Sequence, residues 1–230
     1  MSFLFNMKLF TLHEKAERGI LKYDPSITIE MLGYAFVSGY TVLQVAAQNG
    51  KLKQIPKEYL TGETLNQIGL VKNTTWHEAA RYQTLKDIPV YLFTEDALCK
   101  KDQSGNTVWH HAAAHNSLKQ IPKHLFTEKS MNTVSSYGWN VWHEAAHNYT
   151  FKDIPKQLIT ETVLNKKHKH GGNVWSHIGF CGEGIKNVPK QFINKELLAM
   201  KNDYNEPLFQ DDELEYIKNT LQKLKKGCIK

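Results

Sequence analysis

With 230 residues, 41% of them hydrophobic, the chain can bury a sizeable core and is too apolar for a disordered polypeptide. Its longest apolar run falls far short of a bilayer crossing, so no membrane association is expected. The net charge of +6 hints at an anionic partner, but Lys223, Lys225, Lys226 and Lys230 lie in the last nine residues, and without them 25 basic residues face 23 acidic ones. Cys99, Cys181 and Cys228 are odd in number and lack metal-ligand spacing, which points to a reduced, cytoplasmic setting.

Residues 1–11, opening MSFLFNMKLF, have no basic n-region, long apolar stretch or small-residue cleavage site, and read as an N-terminal cap with no signal peptide. From Leu12 a repeat takes over. Trp76, Trp109, Trp142 and Trp175 recur at one constant interval, in the phrases TTWHEAARYQTLKDIP, TVWHHAAAHNSLKQIP, NVWHEAAHNYTFKDIP and a more divergent NVWSHIGFCGEGIKNVP. A fixed period of this size marks one small unit stacked many times, with no single globular core. Leu12 and Leu43 fill the tryptophan slot in the two earlier copies. A proline stands at one fixed distance beyond the anchor in five copies (Pro25, Pro56, Pro89, Pro122, Pro155), and Pro189 comes one position late, marking an insertion.

Each copy predicts the same sequence of elements. A first helix follows the anchor, with alanine pairs such as Ala79/Ala80, Ala112/Ala113 and Ala145/Ala146 on its inner face so that neighbouring helices approach closely. The phrase from Leu85, Leu118 or Phe151 to the proline cannot continue as a helix, so a turn or short 3-10 stretch should restart at each proline. Thr28, Thr61, Thr94, Thr127, Thr160 and Asn194 then start a short second helix, each as an N-cap with an acidic residue close behind. Polar, glycine-containing links such as KKDQSGN and KKHKHGGN read as turns. After residue 207 the segment DDELEYIKNTLQKLKK predicts an amphipathic capping helix with a basic tail, over 208–230.

The stretch KKDQSGNTVWHHAA, residues 100–113, resembles the ankyrin-repeat signature D-x-x-G-x-T-P-L-H-x-A-A, with Trp109 in the leucine slot; the 33-residue period agrees, and Pro207-Leu208 is similar to the Pro-Leu of that signature. The resemblance implies an all-α fold: an α-solenoid of about six ankyrin-like helix-turn-helix repeats, with capping ends, forming a single domain over 1–230 (repeats 12–207). It also implies hairpin-like links and protein recognition along a concave face. Under it, His77, His110 and His143 fill the slot of a histidine that hydrogen-bonds the adjoining turn. The phrase L-K-x-I-P-K-x-L also resembles leucine-rich repeats, but no L-x-L strand pattern accompanies it.

Several groups invite chemistry. His143-Glu144-Ala145-Ala146-His147 spells the zinc-protease helix H-E-x-x-H, yet His-Glu recurs at the same slot as His13-Glu14 and His77-Glu78, and no third ligand is evident. His111/His115 and His168/His170 are further imidazole pairs at a helix face and in a lysine-rich turn, read as solvated; Cys181 has no oriented base. No catalytic residue, cofactor or metal is therefore expected. Lys22, Lys53, Lys86, Lys119, Lys152 and Lys186 share one slot and should form a row able to track a phosphate backbone, or simply a solvated edge. Trp139, the single off-lattice tryptophan, lies in a predicted exposed turn: either an interface anchor or a residue packed on the neighbouring turn.

The expected activity is non-catalytic binding of a partner protein by a scaffold that is monomeric alone. The contact surface is placed on exposed link and first-helix positions: Lys72, Arg81, Tyr82, Gln103, His111, His115, Tyr137, Trp139, Glu144, His147, Asn148 and Tyr149. Nucleic-acid or phosphate binding along the lysine row is the alternative, and a zinc-dependent hydrolase through HEAAH a remote one.

Overall fold

The computed structural model describes residues 3–35, 38–70, 72–182, 184–202 and 204–227; Cys228 and Lys230 lie outside them. Every regular element among the described residues is helical, and the chain forms two compact units, Met1–Leu125 and Phe126–Lys230. No helix among these residues is long and apolar enough to cross a membrane.

The first unit contains α1 (Phe3–Arg18), α2 (Ile29–Gly33), α3 (Val42–Gln48), α4 (Gly62–Leu65), α5 (Thr75–Arg81), α6 (Glu95–Cys99) and α7 (Val108–Ala114). Its longer helices pack in chain order, α1 on α3, α3 on α5 and α5 on α7. The expected N-terminal cap and first repeat helix are one continuous helix: no proline or glycine interrupts residues 3–18, and the break comes at Gly19, which turns left-handed at φ 70°. The second unit contains α8 (Glu128–Met131), α9 (Val141–His147), α10 (Glu161–Leu164), α11 (Val174–Phe180) and α12 (Asp211–Lys225). Here α9 packs on α11, and α12 closes against the turn at Lys195–Ala199.

Each first helix is short because its two ends are fixed by sequence. At the start, Thr41, Thr74, Thr107, Asn140 or Asn173 caps the helix. At the end the chain turns left-handed at Gly50, Gln83, Asn116, Tyr149 and Gly182, the same slot in five successive copies. Between these limits the anchor and the alanine pair face inward: Trp76, Trp109 and Trp142, with Ala79, Ala112 and Ala145, are fully buried.

The prolines divide the middle of each copy into two 3-10 turns. In the copy after α5 these are Leu85–Asp87 and Val90–Leu92. A residue before proline is driven out of the helical region, so Ile88 is extended (φ −84°, ψ 132°), and the next turn begins after Pro89. The same pair recurs at Leu52–Gln54 with Lys57–Tyr59, at Leu118–Gln120 with Lys123–Leu125, and at Phe151–Asp153 with Lys156–Leu158. Each threonine cap accepts a backbone N–H from its helix: Thr28 from Met31, Thr61 from Thr64, Thr94 from Ala97, Thr127 from Ser130 and Thr160 from Val163. Asn194 accepts two, from Glu196 and Leu197, and the short helix it starts is of the tighter 3-10 kind.

The links are narrow hairpins closed by a single antiparallel bridge, Lys101 to Thr107, Val134 to Asn140, Lys167 to Asn173 and Lys201 to Pro207. Gly105 supplies the left-handed residue of its link at φ 72°; Lys72, one repeat earlier, holds the same slot at φ 55°.

Replacing Trp109 with Ala should destabilise the fold by about 3–5 kcal/mol in urea denaturation, as expected for truncating a fully buried large aromatic; a loss under about 1 kcal/mol would contradict the packing described. A lysine in the left-handed region is strained, so Lys72→Gly should raise stability by about 1 kcal/mol and Gly105→Ala should lower it by a similar amount. Equal and negligible shifts in both variants would refute that account of the links.

Candidate functional site

The repeated histidines are structural. The backbone N–H of Thr74 donates to Nδ1 of His77 (3.1 Å), which leaves the Nε2–H to donate to the carbonyl of Lys100 (3.0 Å). His143 does the same, accepting from Asn140 (3.4 Å) and donating to Lys166 (2.9 Å). Each ring therefore takes the N3 place of a capping box and ties the helix start to the next link. Gln44 serves α3 in the same way, accepting from the backbone N–H of Thr41 and donating to the carbonyl of Asn73. Burial holds both histidines neutral, each down to about 4. Because both ring nitrogens of His143 are engaged, the HEAAH segment does not present a pair of free zinc ligands. Among the described residues no group of three or more His, Cys, Asp or Glu side chains is arranged to hold a metal ion.

In the first unit, Lys72 and Gln103 are exposed on separate links, Tyr82 and His115 are exposed just past the ends of α5 and α7, and Arg81 is half-buried. His111 departs from the sequence expectation. It is buried, with Nε2 at 2.8 Å from Oδ2 of Asp102, edge-on to His77 and stacked on His115. Asp102 shapes the link by accepting the N–H groups of Ser104 and Asn106 on its other oxygen, and His111 turns inward to satisfy the oxygen that remains. Burial works against the Asp102 carboxylate, but the bonds from His111 and Asn106 outweigh it and hold the group at about 2.

In the second unit, Tyr137 and Tyr149 are exposed, while Trp139, Glu144, His147 and Asn148 are half-buried. Trp139 does not stand out from an exposed turn: its ring lies edge-on to His177 (centroids 4.5 Å apart) and to His147 (5.2 Å), and tilted against His168 (5.9 Å). Phe180 stacks on His147 at 5.9 Å. Together with Lys201 and Tyr204 these rings line an open cavity of about 530 Å³. Gly172 in its lining packs closely on His168: a Cβ there would come within 2.5 Å of Nε2 of His168. His177 is 9% exposed, and among the described residues its Nε2 meets no hydrogen-bond partner; neither does Nδ1 of His147. Burial, followed by the neighbouring His143, His168 and His147, holds His177 down to about 3. Burial pushes Glu144 up to about 7, against an opposing hydrogen bond from Asn148.

Of the expected site residues the structure gathers Trp139 with His147, and it adds His168, His177, Phe180, Lys201 and Tyr204, which the sequence reading left out. A signal was present. His177 and Phe180 occupy the slots that Glu144 and His147 hold one repeat earlier, so the apparent decay in the fourth phrase is a change of side chain at one buried slot and one exposed slot beside it.

No family model matches the chain, and no curated protein matches it. Among solved structures, the chain is similar to one in the Bd0816 predatory endopeptidase from Bdellovibrio bacteriovorus in complex with immunity protein Bd3460. That likeness has a TM-score of 0.54 at 20% identity and covers 74% of this chain and 91% of that one, a likeness of fold.

The buried groups set a pH dependence. His77, His143 and His177 have folded values of about 4, 4 and 3, below the usual 6.5, so between pH 6.5 and 4 the unfolded chain binds their protons and the folded chain does not. Glu144, raised to about 7, acts in the opposite sense between pH 4.5 and 7. The net difference is roughly two protons, so stability should fall by about 2–3 kcal/mol per pH unit around pH 5.5 as the pH is lowered. Urea midpoints measured at pH 7 and 5.5 check this; an unchanged or higher midpoint at pH 5.5 would contradict it.

Proposed function

We propose that the protein is a non-catalytic scaffold, an ankyrin-like α-solenoid of about six units with capped ends, that binds a partner protein in the cytoplasm. The observation that carries the reading is the contrast between two sets of positions. Buried slots repeat with little change, whereas exposed helix-end and link slots carry unrelated side chains, among them Tyr82, Tyr137 and Tyr149 at 47%, 64% and 50% exposure. Exposed tyrosines on rigid turns make contact area at low entropic cost. The solved structure to which this fold is similar holds an endopeptidase with its immunity protein, and an association of two proteins agrees with a binding role here.

The lysine row supports a second reading. Lys22, Lys53, Lys86 and Lys119 in the first unit, and Lys152 and Lys186 in the second, are all exposed, as phosphate binding would require. A zinc hydrolase is disfavoured because His143 would have to give up both of its hydrogen bonds.

The test pairs a double variant with a salt series on the partner captured from the native host. Tyr137→Ala with Tyr149→Ala should weaken binding at least tenfold and leave the fold intact, with only a several-fold change between about 50 and 200 mM salt. Unaltered binding by the double variant would refute the tyrosine surface, and a loss of about 10³–10⁵ over that salt range would favour phosphate recognition.

A further inference from the structure

We propose that the cavity bounded by Trp139, His147, His177, Phe180 and Lys201 is a receptor for an acidic side chain on the partner protein. This rests on the reading of the protein as a protein-binding scaffold.

The cavity holds what a carboxylate needs. His177 is more than nine-tenths buried, lines the cavity, and has an Nε2 with no hydrogen-bond partner among the described residues. A buried polar nitrogen left unpaired is costly, so the site gains when an incoming group supplies the missing oxygen. Neutral His177 can carry its one N–H on Nε2 and donate it, and nearby Nδ1 of His147 is a second nitrogen without a partner among the described residues. Among the described residues no aspartate or glutamate lines the cavity, whereas Lys201 does. The lysine draws an anion, and a carboxylate bonded to a charged donor is stronger than a neutral pair. Trp139 and Phe180 in the lining offer apolar contact to the methylene groups behind that carboxylate. A neutral amide could reach the same nitrogens but would lack the charge–charge attraction to the lysine.

The inference is tested on the full chain by following the Trp139 indole and the imidazole resonances by NMR. The probes are two capped tripeptides, acetyl-Gly-Glu-Gly-amide and acetyl-Gly-Gln-Gly-amide, with Zn²⁺ alone as a third addition. The glutamate peptide should shift the Trp139 and His177 signals saturably, at least tenfold more tightly than the glutamine peptide. Lys201→Ala, an exposed change that leaves the fold alone, should weaken it several-fold, and His177→Leu should abolish the response. Equal affinity for the two peptides, no response to either, or a response to Zn²⁺ alone would each overturn the proposal. Failure of the peptides, with partner binding still lost on changing Tyr137 and Tyr149, would reject the cavity and keep the scaffold. Success of the peptides with no partner binding at those tyrosines would reject the scaffold surface and keep the cavity.

Discussion

A helix of seven residues does not persist in water by itself, since nucleation costs more than one or two turns return. The helices α3, α5, α7, α9 and α11 are all of that length, and everything else in the molecule answers to that constraint. Stability has to come from neighbours. In the first unit α5 lies between α3 and α7, and Trp76 fills the layer beneath it, edge-on to Phe93 at 5.0 Å. Polar groups reinforce the stacking: His77 ties the start of α5 to the carbonyl of Lys100, and the hydroxyls of Thr84 and Ser117 donate to the carbonyls of Ala47 and Ala80 in the preceding copy. Within the first unit each copy thus depends on its neighbour for both its apolar face and its unpaired backbone groups.

The same geometry leaves one inward slot free to vary. Two positions after the anchor come Glu78, His111, Glu144 and His177. Glu78 is fully buried and takes the side-chain amides of Asn73 and Gln48. His111 takes the Asp102 carboxylate, and Glu144 is held by Asn148. His177 sits among other imidazoles, and its Nε2 has no partner among the described residues. The slot is satisfied internally in three copies, and in the fourth the Nε2 of His177 is left without a partner among the described residues.

Local chemistry made most of the architecture legible. The anchor period, the threonine caps and the extended residue before each proline act within a few residues, so pattern alone locates them. The expected roles of His77 and His143 also stand, because the capping box that orients them is local. What sequence reasoning misplaced was set through space. His111 is buried because Asp102, in the link before its helix, needs a donor after closing its own turn. Trp139 is half-buried because three histidines from α9, α11 and the next link converge on it, and one of them, His177, lies in the phrase that departs most from the repeat. The cavity in the second unit follows from this convergence on Trp139.

Native-state hydrogen exchange on a Trp76→Ala variant tests the central dependence most directly. If short helices are stable only through their neighbours, protection should fall in α5 and by a comparable factor in α3 and α7, which pack on it. Loss of protection confined to α5, with α3 and α7 exchanging as before, would contradict the account.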